Sequence, residues 1–271
     1  MSLTKRVDEA REAYARKDKA ASAAAHTAER IAQSVSGAPE EHGGAGSQYI
    51  GDFVYGGLDG IITTFAVVSG VAGAELGTGI ILILGLANLL ADGFSMGTGA
   101  YLSSKSEQEY YDKERERELW EVERFHEGER TELLEIYLSR GYSEQEAQQL
   151  VDIYSRDEDR FVDAMMIDEL GMMKDERNPI FSALVTLGSF ILAGAVPLLV
   201  YLIGLTVTIN PANEFLISIV LSGIALFGLG AGKVLITHQN PIKSGIEMLL
   251  VGGLAAGVAY IVGALLKGIG V

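Results

Sequence analysis

The chain is 271 residues long and 48% hydrophobic, yet carries a formal charge of −15, so a large apolar fraction coexists with a strongly acidic one. That acidity argues against nucleic acid as a partner. The absence of cysteine excludes disulfides, thiolate zinc sites and iron–sulfur clusters, which leaves carboxylate, imidazole and thioether as possible side-chain metal ligands.

Residues 1–47 are charged and Ala-rich and lack the apolar core of a signal peptide. Their composition predicts an exposed helix over 4–35, followed by a flexible, Gly-rich tether, Ser36 to Ser47. Crossing the hydrocarbon of a bilayer takes about 20 mostly apolar residues. Stretches near 53–74, 79–101, 180–204, 214–236 and 245–266 meet that need. Between the second and third, residues 103–177 hold 23 Asp or Glu against 11 Lys or Arg. The expected organisation is therefore an N-terminal helix and tether (1–47), transmembrane helices 1 and 2 (48–102), an acidic soluble domain (103–177) and transmembrane helices 3 to 5 (178–271).

Within 103–177 a polar helix continues the second span to about residue 126, with Gly128 as its expected end. A second helix is expected over Glu129 to Leu138, then a turn at Arg140-Gly141-Tyr142. Ser143 and Glu146 have the spacing of a capping box, opening a third helix expected to run to Gly171. Lys and Arg are confined to one set of flanks: seven in the N-terminal segment, eleven in 103–177, and Lys233 and Lys243. The positive-inside rule then places the N-terminus and the acidic domain in the cytoplasm, with Lys267 as the exception. Small-residue pairs such as Gly56-Gly60, Gly93-Gly97, Gly228-Gly232 and Gly253-Gly257 predict close helix packing, within the chain or between subunits.

Ionisable residues inside a span are costly and mark function by default. Asp59 and Asp92 qualify. Asn88, Asp92 and Met96 follow at i+4 steps and share a helix face. Counted from the cytoplasmic ends of their spans, Asp59 and Met96 lie at similar depth, about 10 Å in. Hard oxygen beside soft sulfur suits a borderline divalent transition metal better than magnesium or calcium. The competing structural reading has Asp92 bonding a neighbouring helix and Met96 merely packing. In the acidic domain Glu118 and Glu121, and Glu129 and Glu132, are three apart, and Met165, Met166 and Glu169 lie close on one helix. A Glu-rich run alone is usually a solvated helix face. The Met165-Met166 pair in so charged a segment favours a metal site, with one of the two expected in the domain's own core. Glu123-x-x-His126 imitates a ferritin-like ligand pair, but no second copy occurs, and His126 is expected at the surface.

Three runs carry a family likeness: Gly57-Leu58-Asp59-Gly60 with Thr64-Phe65-Ala66; Leu89-Leu90-Ala91-Asp92-Gly93-Phe94-Ser95-Met96-Gly97 leading to Tyr101-Leu102-Ser103-Ser104-Lys105-Ser106-Glu107; and Met165-Met166-Ile167-Asp168-Glu169-Leu170-Gly171. Together, over about residues 50–267, they resemble the vacuolar iron transporter family, in a prokaryotic-type or fungal-type member. The resemblance implies an all-α membrane protein of five transmembrane helices, a homodimer with the pathway between subunits, and a three-helix cytoplasmic metal-binding domain inserted between spans 2 and 3. It implies Asp59 and Met96 as pathway residues. As metal-domain ligands it implies Glu118, Glu121, Glu129, Glu132, Met165, Met166 and Glu169. Thr64 stands where plant-like members have Pro, and Asn88 where they have Glu, so Asp92, one turn on, is the candidate substitute. Residues 1–47 lie outside the likeness.

The expected function is secondary transport, not catalysis: Fe2+ leaves the cytosol in exchange for protons, with Mn2+, Zn2+ or Co2+ as further cargo and no prosthetic group. The expected setting is a plasma membrane in a prokaryote or a vacuolar membrane in a eukaryote. An alternative is a membrane-anchored iron sensor or buffer that does not transport.

Overall fold

The computed structural model describes residues 9–10, 12–14, 16–27, 29, 31, 47–207, 209–232 and 240–268. Near the N-terminus, Lys17 takes a left-handed backbone (φ 54°). Asp18 then caps α1 (Lys19–Ala25), accepting from the amides of Ala20 and Ala21 at 3.0 Å. One helix over 4–35 is therefore not what forms, because Asp18 satisfies a new helix start. The expected tether, apart from Ser47, lies outside the described residues.

Five helical segments are long and apolar enough to cross a membrane. The first is α2 (Ile50–Gly73), uninterrupted past Thr64. The second begins α3 (Thr78–Arg124), 47 residues without a break. At 1.5 Å per residue α3 is about 70 Å long, more than twice the hydrocarbon thickness of a bilayer. The third comprises α7 (Pro179–Gly194), a 3-10 turn at Val196–Leu198 and α8 (Leu199–Gly204). Pro197, which has no N–H, interrupts this span. Its carbonyl is satisfied by the buried Ser218 hydroxyl, which donates at 2.7 Å from α9 (Pro211–Gly232). The fifth span is α10 (Pro241–Leu266), capped by Asn240.

The chain forms two compact units, one of Met1–Leu89 with Gly188–Val271 and one of Leu90–Leu187. In the first, α2 packs against α9 and α10. Backbones approach closely at glycines: a Cβ on Gly263 would lie 1.9 Å from the Gly70 oxygen, and one on Gly73 would lie 2.3 Å from the Tyr260 oxygen. Gly60 of α2 meets the Phe190 oxygen of α7 in the same way, at 2.3 Å. Among the expected small-residue positions, Gly60 thus packs within the chain, whereas Gly228, Gly232, Gly253 and Gly257 have no neighbour within 4 Å. Large apolar side chains such as Leu192, Leu254 and Leu265 point outward, as a lipid-facing surface requires.

The second unit contains the polar half of α3, α4 (His126–Ser139), α5 (Glu144–Tyr154) and α6 (Glu158–Asp168). The break after α3 falls at Phe125, not Gly128. The Phe125 carbonyl accepts from the amides of Gly128 (2.7 Å) and Glu129 (3.1 Å), so Gly128 sits inside the restarted helix. Ser143 and Glu146 form the expected reciprocal capping box. The expected third helix is two helices, α5 and α6, because Asp157 turns extended (φ −143°) and accepts from Arg160 N at 3.0 Å. Gly171, with φ +65°, closes α6 and lets the Met172 amide reach the Met166 carbonyl at 2.8 Å. Val122, Leu133, Tyr137, Val151, Phe161, Met165 and Met166 build the unit's core.

Candidate metal centre

Three of the four helices that build this core carry a carboxylate one turn from a core residue: Glu118 precedes Val122 on α3, Glu129 precedes Leu133 on α4, and Glu169 follows Met165 at the end of α6. Residues four apart lie on one helix face. Packing the apolar residues together therefore gathers the carboxylates as well. One oxygen from each of Glu118, Glu129 and Glu169 lies within 4.8 Å of the other two. Glu118 is fully buried and Glu129 nearly so.

Three like charges this close repel strongly: two unit charges about 4 Å apart cost ~4 kcal/mol at an effective dielectric of about 20. Protons or a cation must relieve that repulsion. Burial first, and then the Glu169 charge, push the Glu118 carboxyl up to about 7. Burial and the Glu132 and Glu121 charges push Glu129 up to about 7 as well. Glu169 is raised by burial and by Glu132. Oxygen Oε2 of Glu118 is sealed from solvent and takes no hydrogen bond. Its other oxygen, Oε1, accepts from Arg117 at 2.5 Å. Such a site holds protons weakly near neutrality and offers hard ligands to a divalent cation in their place.

Of the seven expected metal ligands, the structure gathers Glu118, Glu129 and Glu169 into one cluster. Glu121 is half-buried beside it and Glu132 exposed, yet both lie close enough for their charges to act on Glu129. Met165 and Met166 are both fully buried in the core, not one of them, on the turn that carries Glu169. His126 is half-buried, its ring edge-on to Phe161 at 5.5 Å, because α4 begins there and not after it.

The expected pathway residues fall in both units. Asp59, on α2, is half-buried in the first. In the same unit the Asn88 amide nitrogen and the Thr64 hydroxyl are sealed from solvent without a hydrogen-bond partner. Asp92 and Met96, both half-buried, follow Asn88 along α3 in the second unit. Two features that sequence reasoning passed over belong to the metal cluster's surroundings. Arg117 pairs with Glu114, Glu118 and Glu121. Tyr137 and Arg140 both hold Asp168, next to Glu169. The Glu114-Arg117-Glu121 spacing is a visible signal for the first; nothing local marks the second.

Five segments long and apolar enough to span a membrane, together with a buried carboxylate cluster in the second unit, define a multi-pass membrane protein with a candidate cation-binding domain. The VIT family model matches residues 50–264. The chain is 41% identical over 265 residues to the vacuolar iron transporter of Toxoplasma gondii, covering 95% of this chain and 87% of that one. It is 32% identical over 272 residues to the Plasmodium falciparum vacuolar iron transporter, covering 98% of each. Vacuolar iron transporter 1 of Oryza sativa subsp. japonica is 34% identical over 223 residues, 82% of this chain and 86% of that one. This chain belongs to the VIT family, the vacuolar iron transporters. The family match begins at residue 50 and leaves residues 1–47 outside it, as expected, while coverage of 95% and 98% of this chain carries the pairwise likeness to the Toxoplasma and Plasmodium falciparum proteins into that segment.

Proposed function

We propose that this protein carries Fe2+ out of the cytosol across a vacuolar-type membrane in exchange for protons, with Mn2+ as a further cargo, and that it works as a homodimer. In this reading the insertion between spans 2 and 3 faces the cytosol and gathers the metal. Asp59 and Met96 then line its passage, with Asn88 and Asp92 beside it. The observation that carries the reading is the convergence of Glu118, Glu129 and Glu169 from three helices, two of them poised to give up protons near neutrality. The relatives' name, vacuolar iron transporter, supplies iron as the cargo. Unpartnered polar atoms of Thr64 and Asn88, buried in the unit that holds Asp59, support a polar route among the spans.

Anaerobic Fe2+ uptake into proteoliposomes under an imposed pH gradient tests the proposal. Wild type should show gradient-dependent flux, Asp59→Asn should lose it while still binding metal, and Glu118→Gln/Glu129→Gln should bind and transport weakly at low metal. Metal binding without flux in the wild type would sink transport and leave a membrane-anchored sensor. Normal flux in Asp59→Asn would remove Asp59 from the route.

A further inference from the structure

Arg117 lies on α3 between the carboxylates it touches. Its Nε donates to Glu114 Oε2 at 3.0 Å, one terminal nitrogen to Glu118 Oε1 at 2.5 Å, and the other to Glu121 Oε2. The contacts with Glu114 and Glu121, at i−3 and i+4, are those a helix surface offers. The contact with Glu118 is not, since neighbours in sequence point about 100° apart around a helix. The guanidinium bends toward Glu118, a buried carboxylate that pairs with no other cation among the described residues and whose second oxygen takes no hydrogen bond.

We propose that Arg117 is a tethered competitor for the metal: its guanidinium neutralises Glu118 and Glu121 in the empty centre and swings out to solvent when a divalent cation enters. This rests on the metal-centre reading above. The motion needs no backbone change, because Arg117 and its three acidic partners all belong to one helix. It is also open on the outer side, since the Arg117 side chain is 41% exposed while that of Glu118 is fully buried. A fixed positive charge beside the site then sets affinity low enough for release, which a transporter needs and a storage site does not. A merely structural Arg117 has the opposite consequence, since its removal would leave the carboxylates to repel one another and spoil the site.

Co2+ binding to the full-length protein in detergent, followed by calorimetry at pH 8, separates the two. At that pH proton competition at Glu118 and Glu129 is small. Arg117→Gln should bind on the order of tenfold more tightly, because two ion pairs, with Glu118 and Glu121, each worth about threefold, no longer have to be broken. Arg117→Lys, which keeps the charge but loses the three-pronged contact, should fall between the two. Unchanged or weaker binding in Arg117→Gln overturns the proposal. If Arg117→Gln fails to fold, Arg117→Lys decides, and affinity no tighter than wild type overturns it. Glu118→Gln/Glu129→Gln is the separate control: if it binds Co2+ as the wild type does, the metal-centre reading itself fails. If it loses binding while Arg117→Gln binds no more tightly, only the role of Arg117 fails.

Discussion

The Tyr137 hydroxyl donates a 2.9 Å hydrogen bond to Asp168, the residue that precedes Glu169. Arg140 pairs with the same carboxylate and donates to the Asp168 carbonyl at 2.7 Å. Tyr137 itself is buried in the core, and the Asp168 contact, after burial, holds its phenol above the ordinary range. The end of α6 is thus tied to α4, and Glu169 is held toward Glu118 and Glu129 by residues outside the carboxylate cluster.

Replacing Tyr137 by Phe keeps the packing and removes the tie. Metal binding is expected to weaken about fivefold, the equivalent of ~1 kcal/mol for one net hydrogen bond. Calorimetric titration with Co2+ checks it. Unchanged affinity would mean that Glu169 is placed by core packing alone.

Affinity should rise with pH. Below about pH 6 Glu118 and Glu129 are protonated, since both titrate near 7, and a metal must displace their protons. Each displaced proton contributes up to about tenfold per pH unit, and the rise flattens above about pH 8. Titrations in two buffers of different ionisation enthalpy count the protons released, and Glu118→Gln should remove one of them. An affinity that does not move between pH 6 and pH 8 contradicts the geometry.

Stability of the metal-free insertion should run the other way. A carboxyl raised from its ordinary value of 4.5 to about 7 in the folded state contributes stability below 4.5, and that contribution is lost as pH rises through 7. Glu118→Gln, neutral at every pH, should therefore stabilise the insertion by roughly 2 kcal/mol at pH 8 and leave it nearly unchanged at about pH 4. Hydrogen exchange within residues 103–177 reports this locally, where a whole-chain melt would be dominated by the membrane helices. Destabilisation at pH 8 would show that pairing with Arg117 outweighs burial.

The packing of α2 against α10 gives a contrast between glycines. Gly263→Ala places a methyl 1.9 Å from the Gly70 oxygen and should cost about 2 kcal/mol or more. Gly188→Ala meets nothing within 4 Å and should stay within about 0.5 kcal/mol of wild type. Thermal stability in detergent distinguishes them, and equal behaviour would refute the close crossing.

Local signals were readable before any fold existed. The capping box at Ser143 and Glu146 needs only residues three apart, and the spans need only a length of apolar chain. The restart at Phe125, the division of the third helix at Asp157 and the turn at Pro197 were harder to read. In each, the break turns on one residue, the Phe125 carbonyl, the Asp157 cap or Pro197, inside a stretch whose composition is otherwise helical. His126 shows the same limit, since its exposure depends on where α4 starts and on Phe161 across the core.

By itself, the sequence determined that this is an all-helical membrane chain with an acidic insertion, and it marked Glu118, Glu129 and Glu169 as candidates, because hydrophobic length, charge segregation and helical period are properties of the chain. Tertiary structure alone decided which acids meet. Val122, Leu133 and Met165 bury together, and that forces their neighbouring carboxylates within 4.8 Å, leaves Glu132 outside in solvent and draws Arg117 inward. Those outcomes follow from burial and mutual repulsion across three helices, which spacing along one helix does not encode.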